Sequence, residues 1–286
     1  MIFTGSHVVA GKVVTATFPI FFASGITLCV TSSLFVLYFL FRPGPFPRPD
    51  RRSFLFIILQ AFTGIFIFRI GILKGLTYTG AIEGGIILSS TPILIAFLSF
   101  LFLKEHITKR KILALIISVA GILIINLMGV GNSSGGNILL GSLFLSCAVL
   151  GEALFTVLRR VIGTRVGAVA NAAYTSLLGA LFFLPLMIGE IPEALELNFA
   201  FRDWAILFFY GTAAPMAAFI LWFSGVSGTS GSTSAVFTAI LPISTMLFST
   251  LFLREPLFLY HAAGAVCIIL GIFLVIDRRR KKTISP

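Results

Sequence analysis

Leu101-Phe102-Leu103-Lys104-Glu105 returns 150 residues later as Leu251-Phe252-Leu253-Arg254-Glu255. Outward from this stretch the echo continues. Pro92 returns as Pro242, and Gly75, Thr79, Ser99 and Gly121 return as Gly225, Thr229, Ser249 and Gly271. The chain is two copies of one unit, and each copy is apolar almost throughout. A repeat of this kind has to be read before any local motif. Duplicated apolar halves are the usual build of a secondary transporter.

Composition sets the class. Hydrophobic residues make up 58% of the 286 residues and charged residues only 11%. Mean hydropathy is +1.07. A soluble domain carries about a quarter charged residues, so this supply cannot cover a water-facing surface. The net charge of +11 does not indicate nucleic-acid binding, because the cations sit in short segments between apolar runs, as membrane topology requires. Cys29, Cys147 and Cys267 lie inside apolar runs without metal-ligand spacing and read as small buried hydrophobes. The first residues lack the basic start and cleavage site of a signal peptide.

A helix needs about 20 apolar residues to cross the hydrocarbon core. The expected spans are 18–41, 54–73, 81–103, 112–130, 138–158, 168–189, 204–224, 232–253 and 257–276, with a partial one at 2–14. Ser6 to Val14 align with Leu154 to Ile162, the end of the sixth span, so the first helix is expected to be incomplete and too short to cross.

Each unit then holds five spans. Tandem units with an odd span number insert in opposite senses, which predicts an all-α polytopic membrane protein of two inverted five-helix repeats. The units are expected at 1–130 and 138–276, followed by a basic tail at 277–286. With both termini cytoplasmic, the inner segments carry sixteen cations: Arg42, Arg48, Arg51, Arg52, Lys104, Lys109, Arg110, Lys111, Arg159, Arg160, Arg165, Arg278, Arg279, Arg280, Lys281 and Lys282. The outer segments carry Lys12, Lys74, Arg202 and Arg254. That imbalance satisfies the positive-inside rule. The cluster Lys109-Arg110-Lys111 also has no counterpart after Arg254-Glu255, as expected if the same loop faces opposite sides in the two halves.

The order and spacing of several segments resemble the EamA-type branch of the drug/metabolite transporter superfamily. They are Ser6 to Lys12, Gly75 to Thr79 leading into Ala81-Ile82-Glu83, Thr91-Pro92 followed by Phe102-Leu103-Lys104-Glu105, Ala153 to Arg160, and Leu251 to Pro256. The resemblance covers nearly the whole chain. It implies alternating-access export or uptake of small metabolites, commonly amino acids or related compounds, in a bacterial inner membrane. It does not name the substrate, because fold does not fix function.

Ionisable groups at membrane depth are the first candidates for function. Glu152, in the sixth span, is a candidate for proton coupling or for a substrate amine; its structural alternative is pairing with Arg69. Arg69, late in the third span, offers a fork for a substrate carboxylate or snorkels outward beside Lys74. Glu83 opens the fourth span, where a helix N-terminus favours a carboxylate. His7 lies in the partial first span. Pro92 and Pro242 are expected to kink the fourth and ninth helices at symmetric positions. Ser90, Thr91 and Thr238 beside them, and Asn171 and Tyr174 in the seventh span, are candidates to line a polar cavity. Glu105 and Glu255 read as helix-boundary groups, with gate-closing ion pairs as the alternative.

An intramembrane enzyme would need paired aspartates or a His-Glu-x-x-His site, and neither occurs. No phosphate-binding loop implies a cofactor, and no metal site is expected. The expected partners are a small-molecule substrate and the lipid bilayer, with a homodimer left open. The competing reading is a membrane sensor or scaffold that moves nothing.

Overall fold

A computed structural model describes residues 6, 10, 14, 17–41, 47–78, 87–88, 90–127, 138–253 and 259–275. These residues form α1 (Ile20–Phe41), α2 (Arg51–Ala61), a π-helical turn (Phe62–Ile67), α3 (Phe68–Tyr78), α4 (Thr91–Leu103), α5 (Lys109–Leu127) and α6 (Ile138–Ile162). There follow α7 (Ala168–Glu196), α8 (Phe201–Gly211), α9 (Ala213–Ser227), α10 (Gly231–Thr238), α11 (Ile240–Leu253) and α12 (Leu259–Val275). Five stretches among them are long and apolar enough to cross a membrane: Ile20–Phe41, Arg51–Gly75, Leu139–Arg165, Ala168–Glu196 and Phe201–Ser227. Within the partial first span, Ser6, Ala10 and Val14 are helical positions, as is Thr17 just beyond it. The expectations for His7, Glu83, Glu255, the length of the first helix and the basic tail lie outside the described residues.

Polarity is arranged inside-out. Leu40, Phe41, Leu139, Phe201 and Leu259 point outward, whereas Gln60, Ser118, Asn171, Thr175, Ser176 and Ser232 are fully buried. Lipid-facing apolar side chains with buried polar groups are what a hydrocarbon solvent selects. Helix starts are held locally. Asp50 caps α2, accepting from the Ser53 amide at 3.2 Å and from its hydroxyl at 2.5 Å. The bonds from Ser53 hold the Asp50 carboxyl below its ordinary range.

Two of the main packing pairs join a helix to its own counterpart in the repeat: α1 packs on α7 and α5 on α12, while α4 crosses to the other half on α10. Gly121 of α5 lies against the Gly264 carbonyl and Cys267 of α12, while its counterpart Gly271 of α12 lies against Ser118 and the Ala114 carbonyl of α5. A side chain at either glycine would push the two helices apart. Reciprocal contacts between equivalent residues are the mark of a two-fold relation between the halves.

The helices are broken where the sequence suggests continuous spans. The region expected as 204–224 is interrupted at Thr212, and that expected as 232–253 at Ala239. The described helix of the 81–103 region begins at Thr91. α10 and α11 are separated by Ala239 alone, which keeps right-handed helical backbone (φ −65°, ψ −13°), so Pro242 follows a bend in one helical run by three residues. Pro92 occupies the first turn of α4, and Pro242 the first turn of α11. Proline lacks the N–H that a helix interior needs but is tolerated in the first turn, where that donor has no intrahelical acceptor. One distortion obeys the repeat: the π-helical turn opens at Phe62, the counterpart of Thr212.

Candidate functional site

The C-terminal end of α4 sets up the first charged cluster. Lys104 ends α4 in the left-handed conformation, φ 52°. The turn directs Glu105 at the start of α10, where its carboxylate accepts from the Gly231 amide at 3.2 and 2.9 Å. The same carboxylate forms an ion pair with Arg160 of α6. Lys111 donates to Ser230 at 2.8 Å, and Ser230 caps α10 through the Thr233 amide. Gly231 is glycine for want of room: an added Cβ would overlap Ser99. Four spans are thus tied together at the face that carries Arg51, Lys109 and Arg165.

The opposite face is more open. A cavity of about 510 Å³ is lined by Thr17, Phe18, Phe21, Leu73, Lys74, Glu190 and Glu193, among others. Glu190 also accepts from the Phe22 amide at 2.8 Å, holding the start of α1.

Glu152 lies between these faces. It is deep in the protein, on α6, beside the Thr91 hydroxyl at the start of α4. That hydroxyl comes near the carboxyl, yet it is buried without a well-formed hydrogen bond. Glu152 as a residue is only partly buried, although its carboxyl lies deep in the protein. The positive end of α4 is adjacent and favours an anion there. Glu152 and Arg69 do not pair: among the described residues the ion pair joins Arg160 to Glu105.

Arg69 does not snorkel to the surface. Its guanidinium lies over the Tyr210 ring, 5.9 Å from the centroid, and its Nη1 is buried without a hydrogen-bond partner.

The other polar candidates are engaged elsewhere. Ser90 donates to the Ile87 carbonyl at 2.6 Å, and Thr238 to the Ala235 carbonyl at 2.6 Å. Tyr174 donates to the Pro47 carbonyl at 2.8 Å. Asn171 is 0% exposed; its Nδ2 donates to Gln60 at 3.0 Å and its Oδ1 accepts from Arg159 at 3.5 Å. It is a joint between helices, not a cavity wall. Of the sequence candidates, the structure brings Thr91 to Glu152. Among the described residues no group of three or more His, Cys, Asp or Glu is placed to hold a metal ion.

Arg159 and Arg160 are not loop charges. Both stand in the last turn of α6, where a helix C-terminus favours cations, and Arg159 is 1% exposed. Its Nε donates to the Phe223 carbonyl and its Nη1 to the Val166 carbonyl, each at 3.1 Å. The guanidinium also stacks over the Phe223 ring. Gln60 completes the cluster by donating to the Phe155 carbonyl at 3.1 Å. The sequence signal for Gln60 is an amide inside an apolar run; for Arg159 it is the neighbour Arg160, which makes both look solvated.

Arg159→Met is expected to lower the thermal midpoint in detergent by about 5 °C or more, since acceptors on three residues lose their donor at about 1–3 kcal/mol each. Arg159→Lys, which keeps a donor but not the fork, should lose less. An unchanged midpoint for Arg159→Met would show that the network contributes nothing.

An all-helical, inside-out chain with paired halves, a closed basic face and an open opposite face is an integral membrane protein of transporter architecture. The chain belongs to the EamA-like transporter family, whose model matches twice, at residues 1–127 and 139–277. It is 35% identical to the uncharacterized transporter YetK of Bacillus subtilis (strain 168), over 100% of this chain and 87% of that one. It is 23% identical to the uncharacterized transporter YyaM of the same organism, over 95% of this chain and 89% of that one. A crystal structure at 15% identity superposes with a TM-score of 0.80, covering 96% of this chain and 93% of the other, which confirms the fold. The protein is a transporter.

Proposed function

We propose that this transporter is a secondary active exporter of small metabolites such as amino acids or related compounds, working by alternating access and coupled to protons through Glu152. One observation carries the reading. The Glu105–Arg160–Gly231 cluster seals one face while a cavity of about 510 Å³ opens at the other, and a carboxyl group sits between them. Helices distorted at symmetric positions around such a site fit a transport pathway. The charge distribution favours insertion in a bacterial inner membrane with the sealed face and both termini cytoplasmic. Energy then comes from a gradient or from exchange.

The test is flux of a panel of labelled amino acids and analogues in proteoliposomes with and without an imposed pH gradient. At least one compound should move in a protein-dependent way, faster with the gradient. Flux without acceleration would discard proton coupling. Binding by thermal shift with no flux would favour a sensor.

A further inference from the structure

We propose that Arg69 is the carboxylate-recognition residue of a substrate subsite in the half of the protein that faces the acidic segment; the proposal rests on the transporter reading. Arg69 lines a small cavity with Thr27, Leu28, Thr31, Tyr210, Gly211 and Phe219. The walls come from α1, α3, α8 and α9, so the subsite lies between helices that belong to different halves. No carboxylate lines it, and among the described residues none forms an ion pair with Arg69.

A buried guanidinium nitrogen without a partner is costly, and such a group persists where something else supplies the acceptor. The neighbouring hydroxyls do not, for Nη1 reaches no acceptor. Thr27 donates to the Ala23 carbonyl at 2.7 Å and Thr31 to the Thr27 carbonyl at 2.9 Å, and Thr31 also donates to the Gly211 carbonyl, which holds both side chains to the backbone.

The subsite is placed for entry from the open face. Leu73, one turn beyond Arg69 on the same face of α3, lines the large cavity, and so does Phe21, two turns before Leu28 on the same face of α1. Arg69 therefore stands about 6 Å below the Leu73 level of the open cavity, at 1.5 Å per residue. Lys74 stands above it at the mouth, beside Glu190 and Glu193.

The space beside Arg69 is about 10 Å³, enough for one water-sized group. It ends at Gly211, next to the break at Thr212, where the backbone is not held by a continuous helix. A forked, permanently charged donor over an aromatic ring matches a planar carboxylate better than a hydroxyl or an amine. A carboxylate oxygen there would satisfy Nη1, and the remainder of the ligand requires the walls at Leu28, Phe219 and the Thr212 break to move apart.

The test is chemical modification of the full-length protein in nanodiscs with phenylglyoxal, an arginine reagent of metabolite size. Adduct formation at Arg69 is read by peptide mass spectrometry. The reaction is repeated with each of a panel of amino and organic acids, their matched amides, and inorganic phosphate. Arg69 should react, and at least one carboxylate should slow the reaction about tenfold, the scale of one charge-assisted hydrogen bond, while its amide has no effect. An Arg69 that never reacts, protection by none of the acids, equal protection by amide and acid, or protection by phosphate alone would each overturn the proposal. Flux of the protecting acid in proteoliposomes separates the two readings: protection without flux upholds the subsite and counts against transport alone.

Discussion

Glu152→Gln should abolish the acceleration of flux by a pH gradient and leave the fold intact. Glutamine has nearly the shape of glutamate and keeps an acceptor for the Thr91 hydroxyl, but it cannot carry a proton. Glu152 has no ion-pair partner among the described residues, so removing its charge leaves no cation stranded. An unpaired charge costs more to bury than a neutral amide, so the thermal midpoint should not fall. Exchange of substrate across the membrane without a gradient should persist, because the pathway itself is unchanged. Glu152→Asp is the informative partner variant. It keeps the proton site but draws it back by one methylene from Thr91, so coupling should weaken, not vanish. A Glu152→Gln protein that responds to the gradient as well as the native one would remove Glu152 from the coupling mechanism.

Much of this architecture is legible in the sequence because the bilayer imposes simple rules. Apolar runs must be helical to satisfy their backbone, and a repeat read at one offset places equivalent residues in pairs. Gly121 and Gly271 illustrate this: the echo between them becomes a reciprocal contact between α5 and α12. The helix breaks are less legible. Pro92 and Pro242 announce a disturbance but not whether the helix bends or restarts. The break at Thr212 has its own signal in Pro215, which follows it at the spacing by which Pro242 follows Ala239, and Gly64 lies inside the π-helical turn at Phe62–Ile67 that is its counterpart. Arg159 is the least legible of all. Its sequence neighbourhood reads as a basic loop; only the fold shows that α6 continues past it and that Phe223, Val166 and Asn171 converge on it. Local charge counts see the number of cations, not which one turns inward.

Breaking the Glu105–Arg160 pair should open the basic face, and the pattern of rescue should reveal a second role for Glu105. The assay uses Thr91→Cys in a background lacking Cys29, Cys147 and Cys267, with a membrane-impermeant thiol reagent applied from the basic side. Arg160→Glu places two carboxylates together at the start of α10 and should raise the labelling rate on the order of tenfold to a hundredfold, the worth of a charge-assisted hydrogen bond. The pair is only partly exposed, with side chains 17% and 15% accessible, so it should exceed the small value of a surface salt bridge.

The reversed pair, Glu105→Arg with Arg160→Glu, restores opposite charges but should rescue only in part. Glu105 also accepts from the Gly231 amide at the N-terminus of α10, and an arginine cannot accept a hydrogen bond and is repelled by the positive helix end. Complete rescue would show that the ion pair alone holds the face shut. Partial rescue identifies Glu105 as a latch with two catches, one on Arg160 and one on the backbone of a broken helix, so that releasing α10 requires both to yield together.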